Sequence, residues 1–500
     1  MTEDQYNLLC NCCDSFLLDQ DSDVDSLAIP WLHIMNEHPV NQVKYNSVFA
    51  DNTSNNLIAI KSLLRTVFDF FKTVKSIDGW HLSRDISESV DVLFVSHLLN
   101  SKQIGAKEDF YYGSLPEKCL EKGISSAVLL HDHTGCNINS ILGKWPSSNA
   151  PRIILDRTLP WRDELSLRTR LTRQSQRLLR LAKKNSSSLQ QRIFRQASKQ
   201  AMNSNSIYTL RFFMQLGKLI DRIKPKVIVV TYEGHAWERL AFAAARKIEP
   251  TIACIGYQHA ILFPRQHAAM RSLGPAYNPD LIFTTGLVTE TVFREEKKVG
   301  SASVATIGTH RFKLPNCDVS EKFQAHAHLS CLVIPDGTIS ECLIIFKFAL
   351  KAAELMPSIK FIFRMHPVLK IESLFGALPQ LTTLPQNIEV SIKEIEDDLS
   401  RARWALYRGS SAAIHAVISG VRPFYINQIG ELSMDPMYQL SVWRIIVNSP
   451  IDFVAQVQID LESQSEILET EWSSAKNFCI SYFQPLNCAE FFSQIKEHVA

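Results

Sequence analysis

The sequence predicts an α/β protein built from two parallel-sheet halves, and three observations support this fold class. Apolar runs of strand length alternate with helical patterns up to about residue 305, and the same alternation starts again near residue 330. Several of the apolar runs end in polar residues, as buried parallel strands do at the carboxyl edge of a sheet. The 500 residues are enough for two or three domains, each with its own core.

The composition is that of a globular protein and argues against a role in binding nucleic acid. The formal net charge of +2 gives no bulk attraction to a polyanion. The eleven cysteines are scattered, and several lie in apolar runs, which is typical of reduced thiols rather than of a disulfide framework. The acidic N-terminus lacks the pattern of a signal peptide, and no run of about eighteen apolar residues occurs. We therefore expect a cytoplasmic protein.

The chain up to residue 305 is predicted to form a tail and one domain. Residues 1–25 are polar and acidic, which predicts a flexible N-terminal tail. Residues 26–305 are predicted to form the N-terminal domain. Its predicted strands are 90–95, 127–130, 152–155, 226–230, 251–256 and 280–286.

Residues 161–200 interrupt this alternation with a basic helical insertion. The segment holds eleven Lys and Arg residues but two acidic ones, and its leucines recur at near-helical spacing. One interpretation is a solvated helical excursion. The other is a basic amphipathic face that rests on anionic lipid.

A second domain is predicted over residues 306–465, after a polar segment that marks the boundary. Its predicted strands are 331–334, 360–363, 402–407 and 422–426. Residues 466–500 are predicted to form C-terminal helices that pack back toward the N-terminal domain.

Four residues of the second domain predict a phosphate site. Arg364 and His366 follow one strand, and Ser410 and Ser411 follow another at the point where a helix begins with Ala412. Free N–H groups at a helix N-terminus favour an anion, and the Arg and His would add charge-assisted hydrogen bonds. The alternative for the His-Pro element is an ordinary solvated loop.

The turn that contains Asp336 and Gly337 follows the first strand of the second domain. At this position of an α/β unit the backbone N–H groups can contact a nucleotide. Glu341 would then lie near its base or ribose. The alternative is a turn without a binding role.

Two strand ends of the first domain offer candidate catalytic residues. Glu233 follows an apolar strand and could act as base or nucleophile on a sugar carbon, or else as an acid that interacts with a helix dipole. Gln258 and His259 end the neighbouring strand, where His259 could bind an acceptor oxygen or neutralise a departing phosphate, or be a satisfied core histidine.

Histidines at further strand ends are predicted to line the substrate site or the surface, and we predict no metal site. His131 and His133 flank Asp132 at one strand end, and His97 ends another. A metal site is the less favoured interpretation of these residues.

Taken in order, these motifs resemble the GT-B glycosyltransferases that use CMP-activated ulosonic acids, including bacterial sialyltransferases and Kdo transferases. The wider chain, roughly residues 27–470, is similar to bacterial surface-carbohydrate biosynthesis proteins. The motifs that carry the likeness are 29–33, 109–113, 232–238, 258–259, 335–337, 364–367 and 410–411.

The resemblance implies two Rossmann-like domains that face each other across a cleft, with the acceptor over the first and the nucleotide-sugar in the second. It implies that His366, Ser410 and Ser411 bind the CMP phosphate and that Glu233 is the catalytic carboxylate. A basic group near Glu233, either His235 or Arg265, would pair with the carboxylate of the ulosonic acid. The chain departs from the family at His415, where relatives often have an acid.

The implied function is metal-independent transfer of Kdo or a sialic-acid-like sugar to a glycan or lipid-linked acceptor of capsule or lipopolysaccharide. The donor is a substrate, and no cofactor is expected. The basic insertion suggests peripheral association with the inner face of the cytoplasmic membrane. Three alternatives remain: a CDP-polyol phosphotransferase, a transferase for UDP- or GDP-sugars, and a non-catalytic scaffold that binds a glycan or a nucleotide.

Overall fold

The structure is a computed structural model. It describes residues 1–35, 45–49, 79–86, 89–142, 144–145, 150–296, 299–311, 329–366 and 369–499. Pro367 of the predicted His-Pro element and most of the predicted boundary segment lie outside the described residues.

The first domain contains an eight-stranded sheet. Its strands are β1 (Trp80–Leu82), β2 (Val92–Leu98), β3 (Ser126–Asp132), β4 (Arg152–Leu155), β5 (Val227–Thr231), β6 (Ala253–Gln258), β7 (Leu281–Thr284) and β8 (Ser303–Thr306). The strand order is β1-β4-β3-β2-β5-β6-β7-β8. Every neighbouring pair is parallel except β1 with β4.

The second domain contains a six-stranded parallel sheet. Its strands are β9 (Ser330–Ile334), β10 (Lys360–Arg364), β11 (Ile388–Ser391), β12 (Trp404–Tyr407), β13 (Arg422–Ile426) and β14 (Ile445–Val447). The strand order is β11-β10-β9-β12-β13-β14. The strand order reverses its direction between β2 and β5 in the first sheet and between β9 and β12 in the second. Ligands of open α/β sheets bind at such switch points.

Helices cover both sheets. They are α1 (Glu3–Leu17), α2 (Val24–Leu27), α3 (Leu115–Glu121), α4 (Ile138–Leu142), α5 (Trp161–Lys184), α6 (Ser188–Ala201), α7 (Ser204–Ile223), α8 (Ala236–Ile248), α9 (His267–Met270), α10 (Leu287–Glu296), α11 (Ile339–Leu355), α12 (Ile395–Arg401), α13 (Ala412–Ile418), α14 (Pro450–Glu462), α15 (Ser465–Tyr482) and α16 (Cys488–Val499).

The central strands are buried on both faces, which is why they read as continuous apolar runs. All five residues of β5 are buried, as are those of β12. Side chains of alternating residues enter two cores on opposite faces of each sheet. The predicted α/β class, with two parallel-sheet domains facing each other in a GT-B arrangement, is confirmed.

The prediction of a flexible tail over residues 1–25 is wrong. Residues 3–17 form α1, which Thr2 caps, and Leu9, Cys13 and Phe16 on one face of it are fully buried. Two of the acidic residues that suggested a tail, Glu3 and Asp4, lie in its first turn, where the helix dipole favours negative charge. Their low hydropathy hid an apolar face whose residues are spaced three and four apart.

The basic insertion forms α5 and α6, and its apolar face packs inside the protein. Leu167, Leu171 and Leu178 are fully buried in the core of the first domain. Arg170 pairs with Asp25, a residue near the N-terminus. These three leucines of the predicted stripe therefore serve the protein core, whereas Leu165 and Leu179 are exposed, so contact of this face with lipid stays a prediction.

The C-terminal helices connect the two domains. The Trp472 indole of α15 donates to the Val417 carbonyl of the second domain over 2.7 Å. The Tyr482 hydroxyl accepts from the Leu262 amide of the first domain over 2.6 Å and donates to the Leu262 carbonyl over 3.1 Å. In α16, the fully buried Phe491 packs in the core behind the first sheet.

The described cysteines are all free thiols, and most of them are buried. None of the helices in the described ranges combines the length and the apolar character that a membrane crossing requires.

Candidate functional site

A cavity of about 570 Å³ lies between the two domains, at the carboxyl edges of both sheets. Cavities of this size are typical of small-molecule sites. It brings together seven of the residues that the sequence predicted for the site. These are Glu233, His259, Asp336, Gly337, His366, Ser410 and Ser411.

The loop after β5 presents Glu233 to the cavity. Gly234 follows it with φ of +88°, and a Cβ there would lie 2.1 Å from the Ala268 carbonyl oxygen, so only glycine fits. The loop is held from below by Glu238, whose Oε2 accepts from the amides of Glu233, Gly234 and His235 over 2.8, 2.7 and 2.9 Å. The carboxylate of Glu233 is therefore placed by a fixed backbone.

Glu238 is a structural acid. It is fully buried in the first turn of α8, and burial raises its pKa to about 8, while His235 opposes the shift and Glu233 adds to it. Its Oε2 is occupied by backbone amides.

His259 follows β6 on the same wall of the cavity. Its ring meets the Tyr111 ring edge-on, with centroids 4.2 Å apart. Burial lowers its pKa to about 4, although the charge of Glu233 opposes the shift. The imidazole is thus neutral at pH 7, so it can hold an acceptor oxygen by a hydrogen bond. The predicted neutralisation of a departing phosphate by a charged His259 is not supported.

We expect stability to fall as the pH falls from about 6.5 to about 4, partly because of His259. Its folded-state pKa lies below its unfolded value, so the unfolded chain binds more protons in this window. The contribution is present above about pH 6.5 and is lost as the pH falls, by up to about 1.4 kcal/mol per pH unit. Urea unfolding at pH 7 and 5 measures it, and His259→Gln should flatten the profile. The exposed His498 provides the control variant, His498→Gln; equal profiles for both variants would contradict the expectation.

Arg311 is a cation of the cavity that the sequence did not single out. It follows β8, and its guanidinium lies over the Phe110 and Tyr111 rings, at 4.7 and 5.6 Å from their centroids. In the sequence, this arginine lies in the polar segment that predicts the domain boundary. The signal that could have identified it is the aromatic motif 109–113, whose rings contact its guanidinium.

On the opposite wall, the turn after β9 lies beside His366. The Gly337 amide donates to Asp336 Oδ1 over 2.5 Å. A Cβ at Gly337 would lie 3.0 Å from His366 Nδ1, so the absence of a side chain lets the imidazole approach the turn. This fits the predicted ligand loop, although its binding role stays a prediction.

The loop after β12 brings two hydroxyls to the same wall. Ser410 and Ser411 line the cavity, and Ser410 Oγ accepts from the Ala412 amide over 3.4 Å. His415, one turn into α13, lines it as well. Since α13 has seven residues, the hydroxyls and imidazoles are the main polar groups of this wall rather than a helix dipole.

The prediction that Arg364 contacts phosphate is wrong. Its guanidinium donates to the Lys393 carbonyl over 2.6 Å and pairs with Asp398 at 2.9 Å. Asp398 is fully buried, and a buried carboxylate requires charged or hydrogen-bonding partners. The arginine at the end of β10 is therefore used inside the second domain.

Three predicted substrate contacts lie behind the cavity walls. Glu341 is buried and pairs with Arg408 at 3.0 Å, which fixes the residue before the Gly-Ser-Ser loop. Gln258 is buried and donates to the Ala260 carbonyl. His235 Nε2 lies 3.3 Å from Glu233 Oε2, beside the cavity rather than in its lining. The first two position the walls, and the third contacts the candidate catalytic acid.

No protein-family model matches the sequence, and no curated protein matches it significantly. Solved structures resemble it at low identity. A glycotransferase of kitacinnamycin has 12% identity and a TM-score of 0.48, with 83% of this chain and 100% of that chain covered. UDP-GlcNAc 2-epimerase from Neisseria meningitidis, bound to UDP-GlcNAc, has 13% identity and a TM-score of 0.45, with 82% and 100% covered.

A third similar structure is the glycosyltransferase SnogD from Streptomyces nogalater. It has 11% identity and a TM-score of 0.42, with 82% of this chain and 100% of that chain covered. Because these TM-scores are below 0.5, the fold assignment rests on this chain's own strand order and on the cavity that its two domains line together.

Proposed function

We propose that this protein is a glycosyltransferase that binds a nucleotide-activated sugar in the cavity between its domains. One observation carries the proposal: the carboxyl ends of both sheets line the same cavity. One wall offers a carboxylate, Glu233, and the other offers hydroxyl and imidazole groups, at Ser410, Ser411 and His366. A donor with a phosphate at one end and a sugar at the other would reach both walls.

The second-domain wall is suited to the phosphate of the donor. Hydroxyl and imidazole N–H groups donate to phosphate oxygens, and such bonds are stronger when the acceptor is charged. As the bond between the anomeric carbon and the phosphate oxygen breaks, the nucleotide leaves with the electron pair. Donors on this wall and the positive charge of Arg311 stabilise that negative charge.

The first-domain wall is suited to the acceptor. Glu233 takes the proton of the acceptor hydroxyl, whose oxygen then forms the new bond to the anomeric carbon. His259 is neutral and orients the acceptor by a hydrogen bond. Arg311 is in place to pair with a carboxylate on the donor sugar.

For the donor we propose a CMP-linked ulosonic acid, and for the product a bacterial surface glycan of the capsule or lipopolysaccharide type. The likeness of the ordered motifs supports this choice, and the cation within the cavity suits an acidic sugar. CDP-polyols, UDP-sugars and GDP-sugars are the competing donors. If the acceptor is lipid-linked, the helices α5 and α6 would meet the membrane surface mainly through their charges.

Nucleotide binding tests the proposal directly. A ligand present at a hundred times its Kd adds about 2.7 kcal/mol to stability. We would measure the Tm of the full chain with CMP, CDP, UDP and GDP. A shift with CMP supports the proposed donor, and a shift with another nucleotide reassigns it. No shift with any of them overturns the proposal and favours a non-catalytic scaffold.

We expect His366→Gln and Ser410→Ala to weaken nucleotide binding about tenfold to a hundredfold, because each removes a hydrogen bond to a charged group worth about 1.5–3 kcal/mol. Calorimetric titration with the nucleotide identified above measures the change. Ser373→Ala, on the exposed surface of the same domain, is the matched control. Affinities equal to the wild type in both site variants would place the phosphate elsewhere.

A further inference from the structure

Three histidines meet at the carboxyl ends of two neighbouring strands, next to the cavity but outside its lining. His97 of β2 is paired in register with His131 of β3, and His133 follows β3 directly. Each histidine offers one ring nitrogen, and these three nitrogens lie within 4.8 Å of one another. From this convergence we propose a binding site for a divalent transition-metal ion, with Zn²⁺ as the ion to test.

The ring nitrogens lie close to the spacing of ligands that share one ion. His97 Nδ1 and His133 Nε2 are 2.9 Å apart, in a hydrogen bond that a bound ion would replace. Bonds of about 2.0–2.1 Å place two ligand nitrogens of one zinc ion roughly 3.3 Å apart. Because the three nitrogens lie within 4.8 Å of one another, binding requires side-chain rotations that change these separations by up to about 1.5 Å. His133 is exposed, so an ion can enter from its side.

The surroundings of His97 provide the support that a metal-binding imidazole needs. When Nδ1 binds an ion, the other ring nitrogen carries a proton and requires an acceptor. His97 Nε2 lies 3.1 Å from Thr231 Oγ1, at the end of β5. The Thr231 hydroxyl can accept that proton, and the contact holds the orientation of the ring.

His131 contributes a buried nitrogen without a hydrogen bond. Only 8% of the residue is exposed, and its Nδ1 has no hydrogen-bond partner among the described residues. Its ring is stacked between Tyr208, at 4.7 Å, and His133, at 4.4 Å. A buried polar atom without a partner is costly, and a bound ion or a ring rotation toward it would remove that cost.

The acidic residue between His131 and His133 is held by other groups, so the three imidazoles are the ligands of the proposed site. Asp132 Oδ1 accepts from the amide and the hydroxyl of Thr134 over 2.8 and 2.7 Å. The nearby Asp132 is already paired with Arg157 at 2.7 Å.

Imidazole nitrogens as ligands select zinc and its neighbours among the transition metals over calcium or magnesium. Three histidine ligands leave further coordination positions open for water or for a ligand oxygen. The site is independent of the proposed transfer, for which we expect no metal. The proposal departs from the sequence-based prediction that these histidines line the substrate site or the surface without a metal.

Titration of the chelator-treated full-length protein with ZnCl₂ tests the site, with CoCl₂ absorption as a second readout. We expect one ion per chain, and affinity at least tenfold weaker in His97→Gln, His131→Gln and His133→Gln. Thr231→Val should weaken binding about tenfold through the His97 orientation. His498→Gln is the control. His133 is exposed, so His133→Gln tests the site even if a buried variant does not fold.

Absence of stoichiometric binding, or affinity that His133→Gln leaves unchanged, overturns the proposal. This test does not depend on the proposed function. Zn²⁺ binding through these histidines without nucleotide binding would support the metal site and contradict the proposed transferase. Nucleotide binding without Zn²⁺ binding would support the transferase and contradict the metal site.

Discussion

Glu233→Gln should lower the kcat of glycosyl transfer by about a hundredfold to ten-thousandfold, because the amide cannot take the acceptor proton. The substitution keeps the shape of the side chain in a loop that Glu238 holds in place. Nucleotide affinity should stay within about twofold of the wild type, since the phosphate binds on the opposite wall. Release of the nucleotide from the donor at saturating acceptor measures kcat, and calorimetry measures the affinity.

The control for this variant is Glu121→Gln, at an exposed position of α3. It changes the same functional group and should leave both quantities unchanged. Full turnover in Glu233→Gln would exclude Glu233 as the base. The nucleotide affinity of this variant would still show whether the second-domain wall binds the phosphate. Loss of nucleotide affinity together with kcat would show that Glu233 acts on the structure of the whole cavity.

Gly234→Ala should destabilise the protein by about 2–5 kcal/mol, through backbone strain and overpacking together. The residue has φ of +88°, and an added Cβ would lie 2.1 Å from the backbone oxygen of Ala268. A shift of the loop to relieve this contact also moves Glu233, so activity should fall in any folded fraction. The free energy of unfolding in urea measures the loss.

Gly123→Ala separates the two causes. Gly123 also has positive φ, +76°, but nothing lies within 4 Å of the position its Cβ would take. It should therefore cost about 1–2 kcal/mol from backbone strain alone. An equal loss of unfolding free energy in the two variants would mean that the backbone around Ala268 can shift to accommodate the added Cβ at no cost.

The fold could be predicted from the sequence because its central strands are buried on both faces. Runs such as β5 then lack polar interruptions, and turn residues mark their ends. The helix α1 could not be predicted in the same way. Its exposed residues are all polar and include two acids, Glu3 and Asp4, and its buried positions contain Cys13, which contributes little to a hydrophobic pattern.

The candidate site could be predicted where side chains lie within about three residues of a strand end, as Glu233, His366 and Ser410 do. Chain connectivity brings those positions to the sheet edge whatever their neighbours are. The choice between two arginines could not be predicted, because it depends on partners distant in sequence. Asp398 binds Arg364 within its domain, whereas the rings of Phe110 and Tyr111 support Arg311 in the cavity.

The hydroxyl of Tyr482, which contacts the backbone of Leu262 with both its donor and its acceptor, restricts how the two halves of the protein can move. Next to it, Phe483 lines the cavity. We expect any relative motion of the two domains to be a rotation about this contact, because a translation would break both hydrogen bonds at once.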